Sequence, residues 1–287
     1  MNSLGIIFAF LALFSWGFGD FFIQRSTKKF GDTITIFYIT LVGTIAFSFF
    51  VYKQLPSLLS EPRDLTILLL TSIAITLAAF LDFEALKQGK IVVVESINAL
   101  ELPVTLALAT FIGKEYLNSP QLLLIALVAA GIFLVSNKSF EHLRELRLER
   151  GVLYAFFAAL AMGVTNFLFG VGARETDFFM VNWFTDVFLL IVTIVLITAH
   201  GRWPETFKDW QKNKGLIIIV SLLDNAAWWF FALATILIPI AIATGISESY
   251  IVLAALLGVF VNHERLKRHQ IAGIILALGG AIMLGFL

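Results

Sequence analysis

The 287-residue chain contains no cysteine, which excludes disulfides and thiolate metal sites and leaves the redox compartment open. Charge is scarce too: 14% of the residues are Asp, Glu, Lys or Arg, against about 25% in a soluble domain. The sequence has no H-E-x-x-H for metal-assisted hydrolysis and no phosphate-binding loop for nucleotide use. Gly245 to Glu248 reads G-I-S-E, a short echo of the Gly-x-Ser of membrane serine proteases, but no histidine sits at matching depth to act as its base. The chain is therefore not read as an enzyme, and no metal or cofactor is expected.

Apolar sequence is what the chain has in excess, with 59% hydrophobic residues and a mean hydropathy of +0.92. A helix needs about 17–25 apolar residues to cross a bilayer. Ten such runs are read, at about 4–24, 33–53, 65–86, 91–112, 120–137, 151–172, 178–199, 215–236, 240–261 and 268–286. The first has no basic start and no A-x-A-like site, so it is not a cleavable signal. The expected fold is an all-α, multi-pass integral membrane protein of ten transmembrane helices, in the plasma (inner) membrane of a prokaryote. The net charge of zero hides an asymmetry. Alternating the loops between two sides puts 16 Lys and Arg on one, including Arg25, Lys28, Lys29, Arg147, Lys212 and Arg268. The other side has 4: Lys53, Arg63, Lys114 and Arg174. Cytoplasmic loops carry the excess of basic residues, so the first side is read as cytoplasmic, with both termini outside.

The chain also repeats itself. At an offset of 146, Gly5, Ala9, Phe10, Ala12, Gly17 and Phe21 fall on Gly151, Ala155, Phe156, Ala158, Gly163 and Phe167, and Asp20 falls on Asn166. At 149, Leu108, Phe111, Glu115, Leu117, Gln121, Ile125, Leu127 and Gly131 fall on Leu257, Phe260, Glu264, Leu266, Gln270, Ile274, Leu276 and Gly280. Residues 1–137 and 151–287 are thus read as two five-helix repeats, joined by a charged linker at 138–150 that is either a short interfacial helix or a solvated connection. An odd number of spans per half inverts the second half in the membrane, the arrangement of many secondary transporters.

On these features the sequence resembles the drug/metabolite transporter superfamily, EamA type, over essentially its whole length. The resemblance rests on Trp16-Gly17 in the first span, A-L-K-Q-G at Ala85 to Gly89 and Pro103 in the fourth span. It rests also on G-K-E at Gly113 to Glu115, N-H-E at Asn262 to Glu264, and the Gly-rich fifth and tenth spans. It implies a transporter of small metabolites with a cavity lined by spans 1, 3, 4, 6, 8 and 9, and spans 5 and 10 at the periphery. It also implies cytoplasmic termini, opposite to the charge count.

Five acids lie deep in spans with no Lys, Arg or His at comparable depth: Asp20, Glu101, Asp186, Asp224 and Glu248. Each central acid costs at least about 2.5–3.5 kcal/mol on insertion scales, so the fold must supply it with a proton, a cation or hydrogen-bond partners. Asn98, Asn166 and Asn225 are the amides available as partners. Asp186, on a span outside the implied cavity, is read as structural; Asp20, Glu101, Asp224 and Glu248 are the candidate substrate- and proton-binding acids. Trp16 precedes Asp20 by one turn and Trp228 follows Asp224 by one turn, so each shares a face with an acid. An aromatic face beside a carboxylate suits an amine or organic cation.

Acids at span ends have blander explanations. Asp82 and Glu84 are within reach of Lys87 and Lys90, Glu95 lies one turn into its span, and Glu115 and Glu264 are read as structural pairs with nearby basic residues. Trp203 and Trp210 are read as interfacial belt residues. The ladder Gly273, Ala277, Ala281, Gly285 admits a close helix neighbour, within the chain or in a homodimer. The functional expectation is a secondary active exporter or exchanger of amine-bearing metabolites, such as amino acids or organic cations, coupled to protons or another cation. The alternative is a lipid or lipid-linked metabolite flippase of the same fold. Nucleic acid is not an expected partner, and anionic substrates lack a deep basic residue to receive them.

Overall fold

The computed structural model describes every residue except 1, 89–96, 137–149, 254–255 and 258–265; within helices it does not extend to a few side chains, Asp20 and Lys87 among them. The described residues are all-helical. In chain order the helices are α1 (Ser3–Phe30), α2 (Asp32–Val51), α3 (Leu55–Ser60), α4 (Pro62–Gln88), α5 (Glu101–Phe111) and α6 (Ser119–Ser136). After the linker come α7 (Arg150–Glu175), α8 (Phe178–Ala199), α9 (Trp203–Leu237), α10 (Ile240–Ser247) and α11 (Arg268–Phe286). Eight of these are long and apolar enough to cross a membrane: α1, α2, α4, α6, α7, α8, α9 and α11. They fall on eight of the ten runs read from the sequence. The linker at 138–150 and the N-H-E motif at 262–264 lie, but for Arg150, outside the described residues.

The other two runs, the fourth and ninth, give shorter apolar helices at Glu101–Phe111 and Ile240–Leu253. Both are broken, and at corresponding places. Leu100 N–H bonds to Ile97 C=O at 2.9 Å, and Ser249 N–H bonds to Ile246 C=O at 3.2 Å, each a three-residue turn inside a helical stretch. Ile97 and Ile246 are 149 residues apart, the offset found between the two halves. Pro103 follows the first break within the opening turn of α5, where a missing N–H forfeits no helix bond.

Local sequence fixes the other ends. Gly31 alone joins α1 to α2, with φ of 83° and its N–H closing α1 on Thr27. Asp177 caps α8 by accepting from Phe179 N–H at 2.7 Å. Helix α9, at 35 residues, would be about 52 Å long, well beyond the roughly 30 Å hydrocarbon core. Asn213 divides it, with non-helical φ −129° and ψ 26°. Trp203 and Trp210 lie before that kink, packed on Phe37 and Tyr38 of α2, and the apolar run read at 215–236 follows it.

The most extensive packing joins α4 to α7, α1 to α9, α6 to α11, and α2 to α8. Glycines allow the closest approaches. A Cβ on Gly17 would stand 2.6 Å from Leu253, and one on Gly163 would stand 2.6 Å from Val104. These two contacts are counterparts: Gly17 and Gly163 differ by 146, Val104 and Leu253 by 149. The α6–α11 seam has the same reciprocity. Gly131 abuts Gly273 and Ala277, while Gly280 abuts Leu124 and Val128. The small-residue ladder thus faces α6 at Gly273 and Ala277, and its last member, Gly285, faces Ile6 and Phe10 of α1.

Candidate functional site

Glu248 sits in the break of the ninth run, as the residue that closes α10, and is 7% exposed. Asn166 of α7, 1% exposed, donates its Nδ2–H to Glu248 Oε1 at 3.2 Å. One turn along α7 from Asn166 is Phe169, whose ring centroid is 4.7 Å from that of Trp228 on α9. Trp228 meets Trp16 of α1 edge-on at 5.1 Å. Tyr250, two residues past Glu248, completes the group at 6.0 Å from Trp16, and Phe231 packs on both tryptophans. Four helical segments therefore deliver one buried carboxylate, its amide donor and five aromatic rings to one region. Trp16, Phe169 and Phe231 are buried, while Trp228 and Tyr250 are only partly so and form its open edge.

The basic side chains of these segments are at helix ends: Arg25 beyond Asp20 on α1, Arg174 in the last turn of α7. The surroundings of Glu248 and Trp228 thus combine a carboxyl group with electron-rich ring faces, a combination suited to cations. Glu101 opens α5 just after the first break, and its carbonyl oxygen would stand 2.9 Å from a Cβ on Gly163 of α7. Asp20 is a residue of α1 beside Gly19, which faces Leu223 of α9; its own side chain is outside the described part of the structure.

The remaining candidates gather elsewhere. Asn98 donates to Asp82 at 3.0 Å, pairing with an acid near the end of α4 rather than with one of the deep acids. Asn225 donates both amide hydrogens to backbone carbonyls, Ile39 of α2 at 3.0 Å and Ser221 at 2.8 Å. Its neighbour Asp224 lies within electrostatic range of Asp186 on α8. Asp224 and Asn225 therefore belong to a second polar cluster between α2, α8 and α9, linked to the aromatic one through α9.

Glu115 has a structural role of its own. It follows α5 and accepts the N–H of Ile240 at 2.7 Å and of Ala241 at 3.2 Å, satisfying the start of α10. Arg174 pairs with Glu115 at 2.8 Å and donates to the carbonyls of Thr235 at 2.6 Å and Ile238 at 2.9 Å, at the end of α9. Structural pairing was the expectation, yet the partner is 59 positions away and not adjacent Lys114. Its counterpart Glu264 is outside the described residues. Sequence reasoning also passed over Phe169, Phe231 and Tyr250, because in a chain with 29 phenylalanines no single ring stands out.

The EamA-like transporter family matches the chain twice, over residues 3–137 and 149–286. An uncharacterized protein of Methanocaldococcus jannaschii is 26% identical over 131 residues, which make up 46% of this chain and 95% of that protein. A crystal structure described only as that of a protein superimposes on 99% of this chain and 98% of its own, with a TM-score of 0.76 at 14% identity, a likeness of fold alone.

Proposed function

The chain belongs to the EamA-like transporter family and is a multi-pass membrane transporter, and from this premise we propose that it is a secondary active exporter or exchanger of small amine-bearing metabolites, driven by proton exchange through alternating access. The observation that carries the reading is Glu248, buried in a broken helix, paired with Asn166 and set beside the cluster of Trp16, Trp228 and Tyr250. A protonated amine supplies the positive charge that this carboxylate lacks, and its hydrocarbon part packs on the rings. Broken helices at membrane depth occur where backbone lines a site, which supports placing the substrate at the two breaks.

Support for alternating access comes from reciprocity. The family match falls once on each half, the M. jannaschii relative matches 46% of this chain with 95% of its own length, and the Gly17–Leu253 and Gly163–Val104 contacts are counterparts. Two inverted five-helix repeats, ten spans in all, account for these together, and exchange of roles between the halves opens the site to each side in turn. The halves are not chemically equal. Asn166 and Glu248 correspond to Asp20 and Ala99, so at these matched positions the carboxylate stands on the first span in one half and on the ninth run in the other. The membrane we assign is the plasma membrane of a prokaryote.

The test is uptake of a panel of amino acids and organic cations into liposomes holding the purified protein. Glu248→Gln keeps the hydrogen-bonding size of the side chain and removes its charge. Transport of a cationic amine should fall steeply in this variant while the protein keeps its thermal unfolding profile. Undiminished transport by Glu248→Gln would remove Glu248 from the site.

A further inference from the structure

The cluster between α2, α8 and α9 poses a chemical problem. A methyl group placed on Gly43 of α2 would overlap both Asn225 Oδ1 and Asp186 Oδ2, so the two oxygens converge on one point. The identity of the Asn225 oxygen is fixed, because its Nδ2 hydrogens go to Ile39 and Ser221 carbonyls. Two acceptors therefore face each other. Asn225 is 9% exposed, and no donor among the described residues reaches its Oδ1; Ser221, fully buried one turn earlier, has a hydroxyl without a partner. Asp186 itself is partly exposed, and two acceptor oxygens set this close repel unless a hydrogen or a cation lies between them.

Building on the proposed exchange, we infer that Asp186 binds the exchanged proton on Oδ2 and donates it to Asn225 Oδ1, so that the proton site is separate from the aromatic substrate site. Among the groups packed on α8, Asp224 of α9 is the charged side chain whose field reaches Asp186. On α2, Asp32 lies in the first turn and Tyr38 bonds to Thr206. On α4, Asp82 and Glu84 lie near the C-terminal end and Asp64 in the first turn, and on α7 Arg174 and Glu175 end the helix. No cluster of three or more metal-binding side chains occurs among the described residues, which favours a proton over a divalent ion. When the proton leaves, the Asp186 carboxylate faces the Asn225 oxygen and the two repel. Asn225 precedes Trp228 by three residues on α9, so displacement of α9 moves Trp228 against Trp16 and Phe169. That is a mechanical route from proton release to substrate release.

Asp186→Asn tests this in the full-length protein in liposomes, because the amide can donate to Asn225 Oδ1 without titrating. Asp186→Ser, a smaller non-titrating donor, is the second variant should the first fail to fold. Both should still bind a cationic amine, read by quenching of tryptophan fluorescence, but lose substrate-driven proton flux and the pH dependence of uptake. Infrared difference spectra across a pH titration should show the carbonyl band of protonated carboxyl groups in the parent protein, and both variants should lack one component of it, the part that belongs to Asp186. Wild-type proton flux in either variant overturns the inference. So does flux in the parent protein that follows a sodium gradient at equal pH and ignores a proton gradient. If no amine binds the parent protein, the proposed function fails, while the infrared band still decides whether Asp186 holds a proton.

Discussion

At the scale of single residues, the side chains with the clearest energetic consequence are Glu115 and Arg174. Glu115, with its side chain 7% exposed, receives two backbone N–H groups and one guanidinium hydrogen. Arg174 is a third exposed and can turn to water, so removing Glu115 costs mainly the backbone N–H groups it leaves without an acceptor, about 1–3 kcal/mol. Glu115→Ala should therefore lower the unfolding temperature markedly. Arg174→Lys should also destabilise, since an ammonium cannot reproduce three donors in a planar fork aimed at Glu115, Thr235 and Ile238. Equal unfolding temperatures for parent and Glu115→Ala would contradict this role. The deep acids were legible in the sequence because each is an anomaly in an apolar run, and an acid in lipid demands a reason. Their partners were not. Asn166 and Glu248 are 82 residues apart, and Asp186 meets Asn225 only because α2 offers Gly43 at the crossing. Such pairings depend on helix rotation and depth, which composition does not encode, and so Asp186 read as the most ordinary of the five.

At the scale of helices, hydropathy located the eight helices long and apolar enough to cross a membrane but could not see the breaks in the fourth and ninth runs. A window averaged over 18 or more residues treats Ala99-Leu100 and Glu248-Ser249 as ordinary positions in apolar runs. Only the three-residue hydrogen bonds reveal the turns. The glycine ladder was more legible, because a side chain one hydrogen in size at regular helical spacing has few explanations other than close approach. Its energetics can be tested on neighbouring positions. A Cβ on Gly131 would stand 2.5 Å from Ala277 N and 2.7 Å from Gly273 O, both backbone atoms that cannot swing aside. A Cβ on Gly279 of the facing helix α11 would meet nothing within 4 Å. Gly131→Ala should cost about 1–3 kcal/mol by overpacking, while Gly279→Ala should be neutral or gain up to about 1 kcal/mol from the better helix former. Thermal unfolding of the two variants in detergent checks the contrast, and equal midpoints would mean that the seam yields without cost.

At the scale of the whole molecule, the arrangement of the ends bears on how the protein sits in its membrane. Arg202 donates to the Phe30 carbonyl, and Trp210 stacks on Tyr38, so the start of α9 lies at the end of the bundle where α1 turns into α2. Gly5 packs on Ile238, and Ile238 is held by Arg174 beside Glu115, so these residues mark the opposite end. Among the described residues the first end gathers Arg25, Lys28, Lys29, Arg202, Lys208, Lys212 and Lys214, whereas the second has Lys53, Arg63, Lys114 and Arg174. This is the 16-to-4 asymmetry of the loops expressed in space. Basic residues near the cytoplasmic leaflet are favoured by its anionic lipids, by about 1 kcal/mol each, and resist translocation. The basic end should accordingly be cytoplasmic, with the Glu115–Arg174 pair at the outer face. The absence of cysteine makes the test direct. A single cysteine at Tyr116, 89% exposed beside Glu115, should react with an impermeant thiol reagent in intact cells, and one at Asn213 should react only after permeabilisation. The reverse pattern would put both termini in the cytoplasm, as resemblance to the superfamily implies, and would place the Glu115–Arg174 pair on the cytoplasmic side of the transport path.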